Sequence, residues 1–291
     1  MDYDGAKTVC DVYISSEGTV SLKKCNVSDK DVEYTYGNKI YENGDVVYFD
    51  VKTGKTCNNY TEENSNTGYN GISGTENQNG CMKFYAFNDD GKDTVNLILD
   101  HNTTANVAWN NTYTNDSGYK INAKGPKEVL DQLKEDTKYW VGTITPANYT
   151  MDQSDQPSKA KYTIDYSSYK ARLITAQEVA QITGNTTWNE NIYYFDSKTS
   201  TASPTCKEGN TTGCKYGWLY DRTSKVCTTY GCLNNSDQGT YGYWTSSSRA
   251  DLYDRALSVD YSGGLGGDFV SISPIIRGVR PVITILKSLI K

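Results

Sequence analysis

Residues 169–184, "YKARLITAQEVAQITG", decide the fold. Thr175 stands in front of a helical run and Glu178 follows three residues on, the spacing of a capping box. Each side chain can then answer an unpaired backbone N–H of the first turn. Gly184 can take the left-handed conformation that ends such a helix, so the spacing predicts a helix from a Thr175 cap to Gly184. Working outward, only one other stretch reads as helix. In "GPKEVLDQLKEDTKYW" (125–140), Pro126 suits a first turn, Val129, Leu130 and Leu133 fall on one stripe, and Trp140 lies just past the end. The rest is short strands and Gly, Asn and Ser turns. "TVCDVYIS" (8–15), "TVSLKKC" (19–25) and "VEYTY" (32–36) alternate as a small antiparallel sheet would. "CMKFYAFNDDGKDTVNLILDHNT" (81–103) reads as a hairpin turning at Asn88-Asp89-Asp90-Gly91. Two helices among antiparallel strands give an α+β class.

The 291 residues suffice for a core of ordinary burial in one large domain or two modest ones. A formal charge of −6 leaves no broad basic field, which argues against nucleic acid as a partner. Hydrophobic residues are only 36%, yet there are 25 tyrosines, whose rings supply apolar area while keeping a polar handle at a wet surface. No run of about 18 apolar residues exists, and "MDYDGAKTVC" has neither a basic n-region nor an apolar h-region. The expectation is an extracellular domain, tied to the cell surface through an anchor outside this chain.

Eight cysteines fit an oxidising compartment. Sequence alone leaves the connectivity open, and local spacing favours neighbours. Cys10 with Cys25 would staple a hairpin around Glu17-Gly18, and Cys57 with Cys81 would close a polar loop. Cys206 with Cys214 and Cys227 with Cys232 would close small loops in an insertion. Zinc is the rival, but the only histidine, His101, is far away in sequence. No metal and no cofactor are expected, and the Asp89-Asp90 pair reads as a turn before it reads as calcium ligands. Triplets such as Asn102-Thr103-Thr104 and Asn185-Thr186-Thr187 are expected by chance in so Asn-rich a chain.

The order of phrases resembles a known family. "YKARLITAQEVAQI" resembles the "RLPT-x-x-E-x-E" helix start of the formylglycine-generating-enzyme branch of the C-type lectin fold. "GYWTSSS" (242–248), "ALSVDYSG" (256–263) and "RGVRPVITI" (277–285) resemble its closing strands. "CMKFYAFNDDGKDTVNLILDHNTTANVAW" (81–109) is similar to the opening hairpin of related domains on surface proteins of gut Firmicutes, often behind a prepilin-like anchor. The resemblance implies a C-type-lectin-like mixed fold over 46–291 with a disulfide-stapled insertion near 200–235. Residues 1–45 remain as a small β subdomain or sheet extension. Apolar Trp244, Val259, Tyr261, Val279 and Val282 are expected in the core, and Arg280 either against a buried carboxylate or carbonyls or on a ligand.

The oxidase family so resembled uses a cysteine pair in its C-terminal segment, and this chain has no cysteine after Cys232. His101, the only candidate base for a nucleophile, sits beside Asn and Thr at a strand end, where a structural role is expected. Carboxylates are plentiful, but nothing singles out a pair for glycoside chemistry. The expectation is a protein that is not an enzyme.

The same branch includes variable proteins of diversity-generating retroelements, in which template adenines are rewritten at random. An Asn codon altered at its first two bases cannot yield Lys, Glu, Gln, Trp or Met. Residues 248–277 contain none of the five, although Lys and Glu are common elsewhere. Strand alternation would turn Leu257, Val259 and Tyr261 inward and Ser258, Asp260 and Ser262 outward. Likewise Val270 and Ile272 would face in, and Phe269, Ser271 and Ser273 out. The expected ligand-binding face is therefore Ser248, Arg249, Asp251, Tyr253, Asp254, Arg255, Ser258, Asp260, Ser262, Asp268, Phe269, Ser271, Ser273 and Arg277. Its partner would be a protein or glycan on another cell or host surface. The alternative is a pilus or surface-assembly subunit, with its interface on the N-terminal strands and the 81–100 hairpin.

Overall fold

A computed structural model describes residues 39–57, 80–100, 102–104, 107–112, 121–186, 188, 193–195, 214–220, 242–260, 263–271 and 277–290, with the backbone of three N-terminal strands. In chain order the strands are β1 (Asp11–Ile14), β2 (Val20–Val27), β3 (Lys30–Tyr34), β4 (Val46–Asp50), β5 (Lys55–Thr56), β6 (Cys81–Phe87) and β7 (Thr94–Leu99). Helix α1 (Glu128–Thr137), β8 (Tyr149–Asp152), β9 (Lys161–Ile164) and α2 (Ala176–Thr183) follow. β10 (Tyr193–Tyr194), β11 (Gly242–Ser248), β12 (Arg255–Asp260), β13 (Gly264–Phe269) and β14 (Val282–Leu286) complete the set. Two α-helices among antiparallel sheets make the chain α+β.

β1, β2 and β3 pair antiparallel in a sheet of their own. The main sheet runs β14-β7-β6-β4-β5, so the last strand returns to lie beside the 81–100 hairpin. That hairpin turns where expected, with Asn88 and Gly91 both at positive φ. Asp89 is committed there: its oxygens accept the Tyr41 and Gly91 N–H groups at 2.8 Å, and Lys287 Nζ lies 2.7 Å away. Pro126 falls outside the first turn of α1, because Lys127 is the N-cap and its N–H is held by the Trp109 carbonyl.

Period-2 alternation in β6, β7 and β14 sends side chains to two different cores. On one face Phe84, Leu97 and Ile283 pack with Val129, Leu133 and Trp140 of the α1 region. On the other, Phe87, Ile98 and Val282 meet Val179 and Ile182 of α2 and Leu257, Val259 and Leu265 of the second sheet, ordered β10-β13-β12-β11. That sheet is buried on its reverse side too, where Trp244, Ala256 and Val270 belong to the first core.

Arg280 lies between the cores and is fully buried. Its guanidinium donates to the carbonyls of Leu99, Asp100, Trp218 and Leu219 at 2.6–2.9 Å. Such saturation is what makes a buried cation tolerable. The Asn102 sequon is likewise used for packing, since its buried amide donates to the Gly242 carbonyl.

Cys57 and Cys81 form the expected disulfide, closing the loop between β5 and β6. Cys214 is also disulfide-bonded. The other expected partners, Cys10, Cys206, Cys227 and Cys232, lie outside the described residues, and Cys25 is described only as strand backbone.

Candidate functional site

β11, β12 and β13 form an antiparallel meander in which Arg255 pairs with Phe269, Leu257 with Gly267, Ser258 with Gly266 and Asp260 with Gly264. The glycines of β13 make room for side chains crossing the strand. A Cβ on Gly267 would lie 2.4 Å from Arg249 Cδ. Arg249 can therefore lie flat across β13 only because that position has no side chain.

The link between β11 and β12 is held by a residue that sequence reasoning missed. Buried Asn122 donates its side-chain amide to the carbonyls of Arg249, Leu252 and Arg255 at 2.7–3.1 Å, and its backbone N–H to that of Tyr253. One amide thus fixes both ends and the middle of the 249–255 turn. Nothing in "INAKGP" marks it, because its partners are some 130 residues away and are backbone atoms. Within the turn, Arg249 makes a two-pronged ion pair with Asp251 at 2.5 and 2.9 Å.

The expected face divides by burial. Phe269 is 42% exposed, while Arg249, Asp251, Tyr253, Asp254, Arg255, Asp260, Asp268 and Ser271 are half-buried. Ser248, Ser258 and Arg277 are buried, which corrects the expectation that they face outward. The cause at Ser258 is the first core: alternation places it opposite Leu257 and Val259, on the side where Ala256 packs, and that side is covered as well. Arg277 lies there and joins β12 to β13. Its Nε donates to Asp268 Oδ2 at 2.7 Å and to Ser258 Oγ at 3.0 Å, and its Nη2 reaches Asp260 Oδ2 at 3.2 Å. Ser258 also donates to Asp268. Ser248 is enclosed by Gln153, which accepts from its hydroxyl, and by Tyr162, whose hydroxyl accepts from its N–H.

What remains accessible gathers at one end of the meander. The Arg255 guanidinium sits 4.0 Å over the Phe269 ring and donates to the Gly267 carbonyl at 3.0 Å. A cation fixed on an exposed ring presents apolar area and N–H donors side by side, the combination that anchors protein and glycan contacts. With the neighbouring arginines and aspartates of the turn, the end carries both charge signs, which suits local recognition better than long-range attraction of one charge.

Ser262 and Ser273 of the expected face lie outside the described residues, as do Tyr261, Ile272 and His101. Among the described residues no cluster of three or more His, Cys, Asp or Glu side chains is arranged to hold a metal ion. No helix among them is long and apolar enough to cross a membrane. No known protein family, curated protein or solved structure matches the chain.

Proposed function

We propose that the chain is a non-catalytic, extracellular ligand-binding protein with the C-type-lectin-like fold of the formylglycine-generating-enzyme-like branch, anchored at a cell surface. Its recognition face is the outer part of the C-terminal set: Arg249, Asp251, Tyr253, Asp254, Arg255, Phe269 and Ser271. The observation that carries this reading is the exposed Phe269 ring under the Arg255 guanidinium, on strand ends tied down by Asn122 and Arg277. Rigid backbone beneath accessible, chemically mixed side chains is the arrangement of adaptable paratopes. Retroelement diversification of 248–277 belongs to the same reading, with exposed positions varying over a fixed frame. The partner is a protein or glycan on another cell or host surface.

The test is retention of the labelled protein on printed glycans and on intact host and bacterial cells, beside the Tyr253→Ala/Arg255→Ala/Phe269→Ala triple variant. The triple variant should lose retention while melting within a few degrees of the parent; retention equal to the parent refutes the face.

A self-assembling subunit is the second reading, and β4 favours it. Val46 and Tyr48 are exposed on a strand that β5 and the following Cys57 pair with only from Tyr48 to Asp50. The 81–100 hairpin suits that role less well, since β14 and β4 already pair with its two strands. Concentration-dependent light scattering abolished by Val46→Lys would favour assembly; a monomer at high concentration would end it.

A further inference from the structure

A second feature lies away from the Phe269 end. A half-open cavity of about 180 Å³ is walled by Asn148, Tyr149, Tyr166, the Arg172–Glu178 pair and Ser246. Its size corresponds to roughly six water molecules at about 30 Å³ each. Its chemistry is unusual for a cleft between elements.

The two charges in the wall are closed on each other. Arg172 donates to both Glu178 oxygens, at 2.6 and 2.8 Å, and the Thr175 N–H adds a third bond to the carboxylate. Burial pushes the Glu178 carboxyl up, but the guanidinium and the Thr175 donors outweigh it and hold the group ionised, below its usual range. With the two charges satisfying each other, neither is left over to pair with a charged ligand, so the wall suits a neutral one.

The polar demand comes from Ser246. It is fully buried, its N–H is taken by the Ile174 carbonyl, and its carbonyl by the Tyr162 hydroxyl at 2.7 Å. Its own hydroxyl has no hydrogen-bond partner of normal geometry. The Tyr149 hydroxyl makes at most a weak contact with it while bonding Ser247 Oγ at 3.1 Å, so Ser246 keeps unmet hydrogen-bonding capacity. A buried hydroxyl short of well-formed bonds is costly, so a group that satisfies it from the cavity is favoured.

We propose that this cavity binds a small neutral polyol, of glycerol to monosaccharide size, through the Ser246 hydroxyl and the Asn148 amide, against the Tyr149 and Tyr166 rings. The shared chemistry is a run of vicinal hydroxyls, from a free sugar or from the end of a glycan chain. It is independent of the Phe269 face.

The experiment is a titration of the isotope-labelled full chain with glycerol, glucose and a glucose oligomer, following backbone amide resonances. The expected result is a saturable shift at residues 147–149 and 246 with glycerol or glucose, weakened at least tenfold in Ser246→Val, which removes the hydroxyl and adds apolar bulk at the cavity wall, and severalfold in Ser246→Ala, which removes only the hydroxyl. Ser246→Ala keeps the test valid should Ser246→Val misfold, because the hydroxyl it removes holds nothing. Phe269→Ala should bind these probes as the parent does. A glycan end is the source if the oligomer binds at least as tightly as glucose, and a free sugar if it binds more weakly. Failure of every probe to give a saturable shift at these residues, or unchanged binding in Ser246→Ala, overturns the proposal and leaves the cavity to water.

Discussion

Asp136 is buried at the end of α1 with only neutral donors on its carboxylate: Thr103 at 2.6 Å, Gln132 at 2.7 Å and Thr104 at 2.9 Å. Burial pushes its carboxyl up, and these three bonds pull it back only in part. A raised folded value means the native state holds its proton more tightly than the unfolded chain. This residue therefore favours folding at low pH, and that contribution is lost as pH rises from the ordinary 3.8 through the folded value. Asp136→Asn keeps acceptor and donor positions without the buried charge. Its melting temperature, relative to the parent, should rise between pH 4 and pH 7; a difference that is flat or falls over that range would contradict the assignment. Asn122→Ala strands three carbonyls of the 249–255 turn and should cost about 2–4 kcal/mol in urea unfolding. Gly242 is as constrained by its backbone. At φ +126° a Cβ there would stand 1.9 Å from the Val259 carbonyl oxygen, so Gly242→Ala should prevent native folding, read as loss of near-ultraviolet dichroism.

Helix α2 shows why some elements were legible and others were not. Its cap is written in adjacent residues: Thr175 accepts the Glu178 N–H at 3.0 Å, Glu178 accepts the Thr175 N–H at 2.9 Å, and Gly184 closes it at φ 74°. The start of α1 was misplaced because its N–H partner is the distant Trp109 carbonyl and no local cap exists. The 81–100 hairpin was likewise local, whereas the placing of β14 beside β7 depends on contacts over more than 180 residues. Glu178 also serves Arg172, which no spacing rule conveys. Thr175→Ala should therefore cost about 1 kcal/mol as a lost cap, and Glu178→Ala about 3–5 kcal/mol, because it strands a buried guanidinium. Equal losses in denaturant titrations would mean the ion pair adds nothing beyond capping. Since the folded Glu178 value is lowered, its contribution is present above the ordinary 4.5 and is lost as pH falls through the folded value, opposite in sign to Asp136. Breaking the Cys57–Cys81 bridge by paired serines should cost about 3 kcal/mol for a loop of this separation, measured the same way.

For the whole molecule, the two helix patterns among alternating strands give the class, and alternation gives one buried face of the C-terminal sheet. Period-2 reasoning assumes one wet face per sheet, and the β10–β13 sheet has none over its middle. That is why alternation turns Ser258 outward while the fold holds it inside, where Arg277 bonds it; Ser248 and Arg277, expected on the face as part of the 248–277 set, are buried too. Phe269 and the 249–255 turn escaped this error because they lie beyond the covered part of the sheet. Packing thus separates a buried frame within residues 248–277 from an accessible outer set, the set proposed to vary. Sequencing the 3′ end of the gene across its source population, with a search for a near-identical template repeat nearby, tests that division most directly. The proposed diversification requires variation at codons for Arg249, Asp251, Tyr253, Asp254, Arg255, Phe269 and Ser271, wherever the template carries adenine, with Gly242, Trp244 and Gly278–Val282 constant. An invariant stretch without a template, or variation spread equally over the buried frame, would contradict it.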